Sequence, residues 1–221
     1  MHNTLIPVIT IDGPSASGKG TVAERVAEKL GFHYLDSGAL YRIVAFAANK
    51  NNIAWNQADA LGELAKKLHI QFTKGDIYLN GDRITEAVRS EEMSRGASEV
   101  AIHPPVRDVL LSLQRSFRQA PGLVGDGRDM GSVIFTDAQL KIFLTADVET
   151  RAERRYKQLI NKDLTADYGQ ILADLQSRDL RDSQRSAAPL VQTVDSLLLD
   201  TTHCNIEQAV EFVLNAYQKY Q

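Results

Sequence analysis

The sequence predicts an α/β fold: a parallel five-stranded sheet flanked by helices, a small antiparallel three-stranded insertion, and a helical lid. Three observations carry this. Short apolar runs alternate with amphipathic helical stretches, the pattern of βαβ units. A glycine-rich loop separates the first apolar run from the first helical stripe. The stretch 69–85 breaks the alternation with turn residues spaced for hairpins. At 221 residues the chain has the length of one α/β domain and can bury a sizeable core. The predicted core covers 1–36, 123–150 and 190–221, a second region about 37–122 includes the insertion, and the lid spans about 151–185.

The first predicted strand is 5–11. It leads into Gly13-Pro14-Ser15-Ala16-Ser17-Gly18-Lys19-Gly20-Thr21, two glycines five apart followed by a lysine, which is the pattern of a phosphate-binding loop. Each part has a task. Glycines let the backbone curl until successive N–H groups converge on phosphate oxygens. The helix that follows adds its positive end, and Lys19 brings a mobile charge to the outer phosphates. A plain Gly/Ser turn explains neither the strand before, the helix after, nor the lysine. The usual pattern has Ser or Thr directly after the lysine to hold magnesium, whereas here Gly20 intervenes. Phosphates, waters and a more distant carboxylate must then hold the metal. The helical stripe after the loop is Val22, Ala23, Val26, Ala27 and Leu30.

A second strand, 33–35, runs into Asp36-Ser37-Gly38-Ala39-Leu40-Tyr41-Arg42, with Ser37 placed to cap the helix through Tyr41. Arg42 lies one turn in, either solvated or a phosphate ligand. In the insertion, Asn80-Gly81 and Gly75 separate the apolar runs 70–72, 77–79 and 83–84. Such a wing is either decoration or a flap that closes on a substrate. After Pro104-Pro105, Val106, Val109, Leu110, Leu113 and Phe117 form another stripe. Strand 123–125 then opens Gly125-Asp126-Gly127-Arg128-Asp129-Met130-Gly131. Asp126, at a strand end, is placed to accept hydrogen bonds from magnesium-bound waters. Arg128 and Asp129 set a donor fork beside an acceptor. The glycines on either side favour a site over an ordinary turn.

Strand 140–144 precedes two arginine-bearing helices. Arg151, Arg154 and Arg155 share a face by spacing, as do Arg178, Arg181, Asp182 and Arg185. Solvated faces are the ordinary reading of such runs. Six arginines on two helices joined by the polar stretch 161–167 instead suit a mobile lid over transferring phosphates. Strand 196–199 and a final helix close the chain. That helix carries Ile206, Ala209, Val210, Val213, Leu214 and Tyr217, with Asn205 and Gln208 spaced as a capping box.

Composition excludes several classes. A formal net charge of −3 argues against a general nucleic-acid binder. A single cysteine, Cys204, permits no internal disulfide and fits a reducing cytoplasm. There is no basic, long-apolar leader and no apolar run of membrane length, so neither membrane nor nucleic acid is an expected partner. His69 and His103 have no carboxylate or cysteine at zinc-ligand spacing. Asn161-Lys162-Asp163 has the wrong spacing for guanine recognition, and the Asp-x-x-Gly string at 59–62 lies in an amphipathic stretch, which disfavours a nucleotide switch.

Taken together, the loop, Asp36 to Arg42, Gly-Arg-Asp-Met-Gly and Arg178-Asp179 through Arg185 resemble the bacterial cytidylate kinases, a P-loop nucleoside monophosphate kinase family. The likeness spans nearly the whole chain, including Lys141-Ile142-Phe143-Leu144 and Ala187-Ala188-Pro189-Leu190. The resemblance implies a P-loop kinase acting as a monomer on ATP and CMP or dCMP with Mg2+. It implies that Gly13 through Thr21 bind ATP, that Ser37, Ser98, Arg128 and Asp129 contact the cytosine, and that Arg42, Arg128 and Arg185 reach the monophosphate. Arg178 and Asp182 would meet the sugar, and Tyr41 either packs on the base or belongs to the core. Lys19, Arg151, Arg154 and Arg155 are the expected catalytic charges. The alternative within the same class is another monophosphate kinase, such as one acting on UMP.

Overall fold

The computed structural model describes residues 5–73, 75–161 and 163–220; Lys74 of the insertion and Lys162 of the polar stretch lie outside the described residues. In chain order the elements are β1 (Val8–Asp12), α1 (Lys19–Leu30), β2 (His33–Asp36), α2 (Ser37–Lys50) and α3 (Ala58–Ala65). Next come β3 (Ile70–Thr73), β4 (Asp76–Leu79), β5 (Asp82–Arg83), α4 (Thr85–Val88), α5 (Glu91–Val100) and α6 (Pro104–Ser116). Then follow β6 (Leu123–Gly127), a π-helical turn (Met130–Ile134), β7 (Leu140–Thr145), α7 (Val148–Ile160), α8 (Tyr168–Gln184), β8 (Leu197–Asp200) and α9 (Ile206–Gln218). The chain divides into two compact units, Met1–Leu35 with Phe117–Gln221, and Asp36–Ser116.

The larger sheet has the order β2-β6-β1-β7-β8. β1 pairs in parallel with β6 and β7, and β7 with β8. β1 is buried along its length, as a central strand covered on both faces must be. Ile9, Ile11, Val124, Ile142 and Leu144 from the strands meet Val22, Val26, Val210, Val213 and Tyr217 from α1 and α9 in one core. Phe32 stands edge-on to Tyr217, ring centroids 5.9 Å apart. The predicted strand 5–11 starts only at Val8, because Pro7 has no N–H for the ladder; its carbonyl still accepts from Leu123 N. β6 continues past 125 to Gly127, since Asp126 and Gly127 stay in register with Ile11 and Asp12. The Asn205–Gln208 capping box of α9 is formed in both directions.

In the second unit, β3, β4 and β5 form the antiparallel sheet. Asn80 and Gly81 have φ of 52° and 92°, the paired positive values of a tight hairpin turn. Alternation puts Ile77 and Leu79 on one face, where they pack with Ala39, Ile43 and Ala47 of α2 and with Ile84 and Val88. The wing is therefore anchored to α2 by a core of its own. Two expectations are corrected here. Asp36, not Ser37, caps α2: its Oδ1 accepts from Ala39 N at 3.0 Å, and Ser37 is already the first helical residue. The stripe on α6 is narrower than predicted, with Val106 and Leu110 buried, Val109 and Leu113 only partly so, and Phe117 beyond the helix end. Arg107 and Gln114 are buried on the same helix because each donates to a nearby backbone carbonyl, Ala101 O and Leu110 O.

Candidate active site

The phosphate loop starts where β1 stops. Gly13 N donates to Gly127 O at 3.3 Å, and a Cβ on Gly13 would stand 1.9 Å from Leu144 O. Only glycine lets the chain leave the sheet there. The loop then curls through positive φ at Ala16 (59°) and Gly18 (91°). α1 begins at Lys19 without a side-chain cap from Gly18, and the positive end of such a helix favours an anion. Lys19 Nζ folds back over the loop to Pro14 O at 3.2 Å. Ser17 is 1% exposed, and its Oγ has no hydrogen-bond partner among the described residues. Thr21 points outward from α1.

Position 20 is informative for what it lacks. A Cβ on Gly20 would lie 3.5 Å from the Tyr34 hydroxyl and 3.9 Å from Asp126 Oδ2. The hydroxyl missing at this position thus borders the Asp126 carboxylate, which is 5% exposed and accepts from Tyr34 OH at 2.8 Å.

α7, capped by Asp147, carries two arginines onto the carbonyl side of the loop. Arg151, 4% exposed, donates to Ala146 O and Ser15 O and grips Asp179 with both Nη atoms, at 3.1 and 2.5 Å. Arg154 donates to Ser17 O at 3.2 Å, to Thr201 Oγ1 at 3.1 Å and to Thr201 O at 2.5 Å. Arg155 Nη1 donates instead to Gln158 Oε1.

A network of alternating charge surrounds the turn after β6. Arg128 Nε meets Asp182 Oδ2 at 2.8 Å, and Arg178 Nε lies 3.9 Å from the same oxygen. Arg185 Nη2 lies 3.9 Å from Asp129 Oδ1, and its Nε donates to Ala188 O. Burial pushes the Asp182 carboxyl up, but Arg128, Arg178 and Arg185 together outweigh it and hold the group below the usual range. Burial likewise opposes the charge on Arg128, and Asp182, joined by Asp126 and Asp12, more than restores it. Arg185 does not share the helical face predicted for it. α8 ends at Gln184, and Arg185 is its C-cap with extended dihedrals (φ −60°, ψ 141°), which frees the side chain to turn toward Asp129.

On the second unit, Ser37 and Ser98 are 3% and 4% exposed, on α2 and α5. Arg42 Nη2 pairs with Asp36 Oδ2 at 2.5 Å, and Arg42 Nε is buried with no hydrogen-bond partner among the described residues. Tyr41 is 6% exposed, with the Arg107 guanidinium 5.7 Å from its ring centroid.

Three residues of these networks escaped the sequence reading, Asp12, Tyr34 and Thr201, while Asp179 entered it only inside the Arg178-Asp179 motif. Asp12 accepts from Met130 N and Gly131 N, and burial pushes its carboxyl up to about 7. Its only sequence signal is a carboxylate at the end of an apolar strand, directly before the loop. Thr201 follows the last strand with no signal beyond being small and polar.

A family model described as Cytidylate kinase matches residues 9–219. The chain is 58% identical over 213 residues to the cytidylate kinase of Polynucleobacter asymbioticus, covering 96% of this chain and 97% of that protein. To the cytidylate kinase of Chromobacterium violaceum it is 54% identical over 216 residues, covering 98% and 97%. An uncharacterized protein from Eubacterium ventriosum superposes with a TM-score of 0.53 at 10% identity, over 96% of this chain and 98% of that one, a likeness of fold alone. The phosphate loop, the Arg128-Asp129 turn and both arginine-bearing helices fall inside the matched span, and the chain belongs to the cytidylate kinase family.

Proposed function

We propose that the protein transfers the γ-phosphoryl group of ATP to CMP or dCMP, giving ADP and CDP or dCDP. The observation that carries this is the Arg128-Asp129 turn, Arg128 half-buried and Asp129 buried, a donor and an acceptor side by side on the same unit as the phosphate loop. Cytosine presents an amino donor next to a ring-nitrogen acceptor, whereas uracil reverses both. A carboxylate beside a guanidinium matches the first pattern. The relatives are named for cytidylate, and nothing favours UMP as acceptor.

Gly13, Pro14, Ser15, Ala16, Ser17, Gly18, Lys19, Gly20 and Thr21 hold ATP, with backbone N–H groups on the phosphates. Lys19 exchanges Pro14 O for an outer phosphate. Arg151, Arg154 and Arg155 supply charge for the migrating group, the first two from positions against the loop. Ser37, Ser98, Arg128 and Asp129 recognise the cytosine, Arg42, Arg128 and Arg185 the monophosphate, and Arg178 and Asp182 the sugar. Tyr41 stands near the base recognition residue Ser37 in sequence and is assigned to the same substrate. The acceptor phosphate oxygen attacks in line, and no general base is needed because a phosphate monoester is largely ionised near neutrality. The lid, about 151–185, excludes water that would otherwise accept the phosphoryl group.

Magnesium accompanies ATP in this proposal. The donor set fits a hydrated ion: position 20 offers no hydroxyl, while the Asp126 carboxylate beside it can accept from metal-bound waters. When bound, the ion draws charge from the phosphate oxygens. The protein is further proposed to be a cytoplasmic monomer; no helix among the described residues is long and apolar enough to cross a membrane.

The test is ADP release from ATP with and without added CMP under multiple turnover. Release that depends on CMP is expected. Release that ignores CMP contradicts the proposal and points to a hydrolase or switch.

A further inference from the structure

Asp12 closes β1 in register with Gly127 on one side and Phe143 on the other, and its backbone needs nothing more from it. Its side chain nonetheless has a specific task. Oδ1 accepts the Met130 N–H at 2.9 Å and Oδ2 accepts the Gly131 N–H at 2.8 Å. These two amides open the π-helical turn directly after Asp129. A carboxylate has two equivalent acceptor oxygens and no N–H, so it satisfies both amides at once; an asparagine can satisfy only one.

The cost of placing a carboxylate here is visible. Asp12 is 7% exposed, and burial is the main reason its carboxyl is pushed up to about 7. The Asp129 charge adds to the push, while the Gly131 and Met130 amides and Arg128 oppose it. The turn is also pressed against the sheet, since a Cβ on Gly131 would stand 2.8 Å from Thr10 Oγ1 and 3.1 Å from Lys141 Cδ. Arg128 and Asp129 thus lie between two fixed points: the Asp182 pair on one side and the Asp12 grip on the other.

We infer that Asp12 is a positioning residue for base recognition, its carboxylate fixing the turn that presents Arg128 and Asp129 to the cytosine. This rests on the proposed assignment of those two residues to the base. Asp12 acts through the turn and touches no substrate.

Asp12→Asn preserves volume and one oxygen but sets an NH2 against one of the two amides. The KM for CMP should rise by about tenfold, the scale of one lost buried hydrogen bond, while the KM for ATP and kcat change by about twofold or less. The ratio of kcat/KM for CMP over UMP should fall. Asp129→Asn is measured alongside. A ratio that falls in both variants supports the inference. A fall in Asp129→Asn alone overturns it and leaves the base assignment standing. An unchanged ratio in Asp129→Asn refutes the base assignment, and the inference with it. Equal losses toward ATP and CMP in Asp12→Asn, with the ratio unchanged, reduce Asp12 to a structural residue. If that variant does not fold, hydrogen exchange on the unaltered protein decides: the Met130 and Gly131 amides should be protected, and more so with CMP bound. Fast exchange indifferent to CMP overturns the inference.

Discussion

Lys19 shows how one side chain can matter to chemistry and little to folding. Its Nζ reaches across the loop to Pro14 O at 3.2 Å, and Lys19 opens α1 without being a member of the apolar core. Lys19→Ala should therefore unfold near the temperature of the parent protein. Phosphoryl transfer should fall on the order of 100-fold or more, because a preorganised charge facing the transferring group is lost. Turnover near normal in that variant would show that the loop does not act on phosphate through this residue. Gly20 and Asp126 make a complementary pair. This loop has no hydroxyl directly after the lysine, and a buried carboxylate stands about 4 Å from where that side chain would begin. Asp36 serves two neighbours at once, capping α2 with one oxygen and holding Arg42 with the other, so its removal would cost about 1 kcal/mol of cap alone.

At the scale of elements, strands and amphipathic helices were legible because burial leaves a periodic record. β1, β6 and β7 read as apolar runs, and the hairpin at Asn80-Gly81 was declared by two residues that tolerate positive φ. Ends were less legible. Pro7 shortened β1, and Arg185 left α8 because chain direction at a helix end depends on what the next residues meet. The candidate site was legible where motifs carried it, in the loop and in Arg128-Asp129. Asp12 and Thr201 were not, since each acts on backbone more than a hundred residues away and neither belongs to a periodic pattern. The arginines of α7 were found by spacing, but their spacing did not reveal that two of them hold the carbonyls of Ser15 and Ser17. That attachment makes a measurable claim about the lid. Arg151 and Arg154 tie the start of α7 to the loop, so ordering by ligand should appear farther along, in residues 155–161 and 163–169. Amide exchange there should slow when a bisubstrate analogue joining the two nucleotides is bound. Exchange unaffected by saturating analogue would return Arg155 and the start of α8 to a solvated face.

At the scale of the molecule, the parallel sheet delivers three things to the carboxyl ends of its strands: the loop after β1, the Arg-Asp turn after β6, and the arginine helix after β7. Phosphoryl transfer asks a protein mainly for position and charge, and under the proposed function these three are the parts assigned to both. The second unit carries Ser37 and Arg42 on α2, which is steadied by a separate core, and Ser98 on α5. The central claim is that the acceptor is a cytidine monophosphate, and the most direct measurement compares kcat/KM for CMP, dCMP, UMP and AMP with ATP as donor. Because a hydrogen bond to a charged group is worth roughly 1.5–3 kcal/mol, CMP or dCMP should exceed UMP by at least about tenfold, with AMP lower still. Equal or greater efficiency with UMP would contradict the account, since the Arg128-Asp129 pair would then not be reading the base.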